Sequence, residues 1–230
     1  MLFALTSPLA FAADLVPSDP KPAAPPTWAQ MQRAVLVDHD LEKIKSLIAA
    51  GLDPNAPIGC GTYSPLDGAV DQKDVKVAAL LISLGAKPNE RQMVNAAFIG
   101  NQDIALNFVK LFQKAGVSIN ARSYYGKTPN ETPIGSAVYR QNRGLITYLL
   151  SQKGIRLDLP NIDGNTPLMI AVEHGDEDIV DMLLAAGADP TIKNENGVDA
   201  ADVASGVIEK QKSILKKLSG DHGAIASKSD

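Results

Sequence analysis

Between Asn161 and Lys193 the chain reads NIDGNTPLMIAVEHGDEDIVDMLLAAGADPTIK, two short amphipathic helices punctuated at both ends. A turn signal, Asp163-Gly164-Asn165, precedes Thr166-Pro167-Leu168, where the Thr166 hydroxyl can cap a helix that opens at Pro167. That helix carries Leu168, Ile170, Ala171 and Val172 and is predicted to stop at Gly175. A second, predicted over Glu177 to Ala186, sets Ile179, Val180, Leu183 and Leu184 on one face at helical spacing. Gly187 supplies a left-handed residue to end it, and Ala188-Asp189-Pro190 turns the chain away. Helices this short are marginal alone, so their apolar faces require neighbours of the same kind.

The chain supplies them. Gly164 and Gly197 stand 33 residues apart, as do Ala171 and Ala204, and Gly154 and Gly187. Ala137 and Ala171 are separated by 34, as are Gly51 and Gly85. A period near 33 with T-P-L and A-A-x-x-G signatures resembles the ankyrin repeat. Residues 161–193 match that pattern almost throughout, with Met169 where the family usually has His. The resemblance implies an all-α solenoid of five to six helix-turn-helix repeats with short finger hairpins. The units are expected over 27–57, 58–89, 90–120, 121–160 and 161–193, with a C-terminal cap over 194–218.

The segments flanking the repeats read differently. Residues 1–12 look like the back end of a secretory signal peptide, with an apolar Leu2 to Ala10 and an A-x-A site at Ala10-Phe11-Ala12. No Lys or Arg precedes the apolar run, which a start codon placed too far downstream would explain; a greasy cytoplasmic tail is the alternative. Export would place a bacterial protein in the periplasm or outside the cell. Residues 13–26 form a Pro-rich linker, and 219–230 a polar tail expected to be disordered. Thr27-Trp28-Ala29-Gln30 reads as a capping box opening repeat one. Its second helix is predicted over Leu41 to Ala50. Repeat two has Ser64-Pro65-Leu66 in the T-P-L slot. Repeat three departs from the pattern: its finger is largely missing and its second helix, Asp103 to Lys114, is about one turn longer. An expanded finger, Arg122 to Glu131, precedes Thr132-Pro133-Ile134, and Ala69 to Ala137 restores twice the repeat length. In the cap, Lys210, Lys212, Lys216 and Lys217 around Ile208, Ile214, Leu215 and Leu218 give one apolar and one basic face.

Several chemistries are disfavoured. A net charge of −4 and a pI near 5.4 weigh against nucleic acid as a partner. No apolar run of eighteen or more exists, so no spanning helix is expected. His39, His174, His222 and Cys60 are too few and too scattered for a zinc site, and a Cys60–His174 pair would be separated along the stack. Cys60, between two glycines, reads as an exposed thiol, incidental or available for an intermolecular disulfide. Asp176, Glu177 and Asp178 open a helix, where acidic groups favour the positive end of its dipole by about 0.3–1 kcal/mol each. No catalytic constellation is found, and no cofactor, metal or enzymatic activity is expected.

Ankyrin-like proteins bind partners through their fingers and the exposed side of each first helix. Carried over by position, that implies a partner-binding set of Asp71 and Gln72, Phe98 and Ile99, Tyr139 and Arg140, and Glu173 and His174. The fingers add Tyr63, Tyr124, Tyr125, Lys127 and Asp163. Two readings of Phe98 and Ile99 stay open: they face a partner, or they fold inward to fill the irregular third repeat. His174 alone most often hydrogen-bonds the neighbouring finger. The expected function is a non-enzymatic protein-binding module, monomeric, whose partner is another protein. An immunity or inhibitor protein against a delivered toxin, or an accessory factor to a periplasmic redox enzyme, are its more specific alternatives.

Overall fold

The computed structural model describes residues 26–58, 61–123 and 132–208. Ten helices there form five antiparallel pairs: α1 (Trp28–Arg33) with α2 (Leu41–Ala49), α3 (Pro65–Asp71) with α4 (Val75–Ser83), and α5 (Glu90–Ala97) with α6 (Gln102–Lys114). α7 (Pro133–Tyr139) pairs with α8 (Arg143–Leu150), and α9 (Pro167–His174) with α10 (Glu177–Ala185). Residues 200–208 begin a further helix. The first helices α1, α3, α5, α7 and α9 pack each on the next, and α2, α4, α6 and α8 make a second row against them. This is the repeat solenoid that the period implied.

Local chemistry starts and stops each helix. Thr27, Ser64 and Asn89 close reciprocal capping boxes with Gln30, Asp67 and Gln92, while Thr132 and Thr166 each cap a helix beginning with proline. Such a cap stabilises a helix by about 1 kcal/mol. In four of the five pairs, all but α5–α6, one residue between the helices takes the left-handed conformation: His39, Lys73, Gln141 and Gly175, with φ of 50°, 59°, 52° and 67°. Asp40, Asp74, Asn142 and Asp176 follow directly and cap the second helices. In repeat one the first helix is longer, and a wide π turn over Ala34–Asp38 absorbs the extra residues before His39.

Small residues let the first helices approach: Ala69, Ala96, Ala97 and Ala137 are fully buried. Leu81, Phe108, Phe112, Leu145, Leu149, Ile179 and Leu183 fill the space between the rows. The longer α6 uses its additional turn to bury Phe108 and Phe112, whose rings meet at 5.6 Å. Side-chain amides and carboxylates at the repeat exits then tie neighbours together. Asn55 donates to the Gly85 carbonyl and accepts from Lys87 N–H, and Asn120 does the same with Gly154 and Arg156. Asp158 accepts from Asp189 N–H one repeat later. Between repeats two and three no such clamp is found among the described residues, and Asn89 instead caps α5.

The fingers contain no strand among the described residues. Those of repeats five and six are tight turns, closed by Asn161 N–H to the Asn165 carbonyl and Asn194 N–H to the Val198 carbonyl. They abut: Asn194 Nδ2 donates to Asn165 Oδ1 at 2.7 Å, and a Cβ at Gly164 would stand 2.7 Å from Glu195 N. The expected hairpin is thus reduced to a turn held by an asparagine side chain.

Candidate partner-binding surface

One slot near the end of the first helices holds Asp71, Phe98, Tyr139 and Glu173 in successive repeats, and the next holds Gln72, Ile99, Arg140 and His174. Irregular repeat three separates Phe98 from Tyr139 by 41 residues in sequence, yet the stack returns them to contact. Their rings lie 5.5 Å apart and nearly parallel. Tyr139 in turn meets the His174 imidazole, tilted, at 5.2 Å. The result is an aromatic ladder across three repeats, with Tyr139 39% exposed at its centre.

Arg140 is held against this ladder. Its Nε donates to the Phe98 carbonyl at 2.8 Å, and its guanidinium carbon sits 3.9 Å from the centre of the Phe98 ring. Stacking of a planar cation on an aromatic face leaves its remaining N–H groups directed outward. Beside it, Val70, Asp71, Lys73, Asn95, Phe98, Ile99, Gly100 and Arg140 line a groove of about 200 Å³. Asp71 accepts from the Tyr63 hydroxyl at 2.9 Å, which joins a finger residue to the first-helix row. Burial, reinforced by the Asp71 carboxylate, holds the Tyr63 phenol well above its ordinary titration range.

Phe98 and Ile99 differ in burial. Ile99 is folded inward, 8% exposed, while Phe98 stays half-buried with one face for Tyr139 and Arg140. Among the described residues His174 meets the Tyr139 ring.

The family model for ankyrin repeats, in three copies, matches residues 93–194, the stretch that carries the ladder. The chain carries an ankyrin-repeat domain. An ankyrin repeat-containing protein from Treponema pallidum is 31% identical over 157 residues, covering 67% of this chain and 49% of that protein. The nuclear factor NF-kappa-B p105 subunit of Gallus gallus is 28% identical over 164 residues, 69% of this chain and 16% of that protein. The chain thus spans about half or less of the curated relatives it matches. Among solved structures, an ankyrin repeat domain from Acinetobacter baumannii AYE aligns with a TM-score of 0.65 at 22% identity, over 82% of this chain and 97% of that one. The ankyrin repeat domain of Bcl-3, a member of the IkappaB protein family, gives 0.64 at 21% identity, over 81% and 85%. Ankyrin domains are typically protein–protein interaction modules.

The remaining candidates scatter around the ladder of this ankyrin domain. Gln72 and Glu173 are exposed on the same row, and Asp163 is exposed on the fifth finger, its N–H donated to Asn161 Oδ1. Tyr124, Tyr125 and Lys127 lie outside the described residues, as do Cys60, residues 1–25 and residues 209–230. Sequence reasoning missed Lys73 and Asn95, which line the groove. Lys73 occupies the left-handed turn slot, and Asn95 is the one polar residue in the run Met93 to Ile99. That break in the apolar pattern was the available signal. Arg143 was also missed; it bridges Asp176 at 3.0 Å and Asp178 at 2.7 Å, so part of the acidic cluster is consumed in tying α8 to α10. Among the described residues no three His, Cys, Asp or Glu side chains converge to hold a metal, and no helix is long and apolar enough to cross a membrane.

Proposed function

We propose that this ankyrin domain binds another protein, without catalysis, through the ladder Phe98–Tyr139–His174 and the Arg140 side chain fixed against it. The observation that carries the reading is the half-exposed Tyr139 ring between two aromatic neighbours from adjacent repeats. Tyrosine and arginine in preorganised positions dominate interface energetics because little rotamer freedom remains to be lost on binding. Export to the periplasm or beyond, with the chain as an inhibitor of a delivered toxin or an accessory to a redox enzyme, belongs to the same proposal. Its support is the leader-like composition of residues 1–12.

The test is affinity capture with the wild type and with Tyr139→Ala/Arg140→Ala, alongside thermal unfolding of both. Loss of a co-purifying protein at nearly unchanged melting temperature is expected. Equal loss of capture and of stability would make these residues structural and remove the basis of the proposal.

A further inference from the structure

The groove beside the ladder has a chemistry of its own. Lys73 and Arg140 stand on its rim, and neither forms an ion pair among the described residues. Its one carboxylate, Asp71, already accepts from the Tyr63 hydroxyl and has a further interaction besides. Lys73 and Arg140 favour a ligand that brings negative charge, and the half-buried Phe98 beside the exposed Tyr139 ring favours an apolar group next to it.

We propose that the groove takes an extended acidic peptide segment. A side-chain carboxylate lies between Lys73 and Arg140, and a neighbouring aromatic or aliphatic side chain packs on Phe98 and Tyr139. This rests on the reading of the first-helix row as a binding surface and adds the partner's chemistry. Asp71 fixes the polarity of the contact, since it repels the carboxylate from the Tyr63 side and leaves the Arg140 side open. The chain as a whole is acidic, so the attraction is local and acts at contact distances instead of steering the partner from afar.

The test is selection from a randomised peptide library, displayed without a free C-terminus, against the full chain and against Tyr139→Ala. Enrichment of peptides with Asp or Glu next to an aromatic or aliphatic residue, lost on Tyr139→Ala, is expected. The enriched sequence, made with both ends blocked, is then titrated by fluorescence anisotropy. Lys73→Gly and Arg140→Gln should each weaken it by about two- to fivefold, as an exposed ion pair allows, and so should exchange of its Asp or Glu for the amide. Lys73→Gly also relieves a left-handed backbone, so weaker binding there cannot be laid to poorer folding. Enriched peptides that are neutral or basic but still depend on Tyr139 would overturn the acidic preference and leave the binding surface standing. Enrichment indifferent to Tyr139, or none at all, would remove both.

Discussion

Arg140 is fastened to Phe98 twice, by a hydrogen bond of 2.8 Å to its carbonyl and by a guanidinium 3.9 Å above its ring. These contacts join repeats whose sequence spacing is the least regular in the chain. Lysine retains the charge but not the planar fork, so Arg140→Lys gives up the flat stacking on Phe98 and the aligned Nε–H bond while changing stability by less than about 1 kcal/mol. Capture of the partner should fall with the melting temperature nearly unchanged. Full capture by the lysine variant would show that charge alone matters at this position.

Gly164 and Gly197 occupy the same finger slot one repeat apart, with φ of 76° and 72°. Only Gly164 is crowded, since a Cβ there would stand 2.7 Å from the Glu195 backbone nitrogen and one at Gly197 would meet nothing within 4 Å. Gly197→Ala should therefore cost about 1 kcal/mol, the left-handed penalty, and Gly164→Ala clearly more. Urea unfolding of the two variants checks the order. Equal costs would mean the fifth and sixth fingers do not abut as described.

Leu183 is fully buried between α9 and α10. Leu183→Ala should destabilise the domain by about 2–5 kcal/mol in equilibrium unfolding, and a loss near zero would contradict its placement in the core.

The alternation of short helices was readable because caps, prolines and glycines punctuate each unit, and because apolar residues recur at helical spacing. Contacts between repeats were less so. That Phe98 and Tyr139 meet depends on a missing finger in repeat three being offset by an expanded one before α7, which leaves the stacking order intact across 41 residues. The split between Phe98 and Ile99 was illegible for a related reason. Adjacent residues at a helix end point in different directions, and the terminal turn decides which of the two faces the core. Lys73 was overlooked since a turn slot normally held by glycine carries no expectation of a useful side chain.

Tyr63 couples the second finger to Asp71 and gives a pH signature. Burial first, and the Asp71 carboxylate second, raise its phenol above the ordinary value of 10.0. A raised folded-state pKa contributes stability that is complete below the unfolded value and is lost as pH rises through the folded one. The stability gap between the wild type and Tyr63→Phe should accordingly narrow as pH climbs above that ordinary value, as read from urea midpoints. A gap that stays constant would show that folding does not raise the Tyr63 phenol.

Hydrogen exchange of the domain, alone and saturated with the protein it captures, addresses the binding surface most directly. Slower exchange is expected at the C-terminal turns of α5, α7 and α9, where Phe98, Tyr139 and His174 lie, with α6, α8 and α10 unchanged. Protection confined to those second-row helices would contradict the assignment of the aromatic ladder as the surface on which the partner sits.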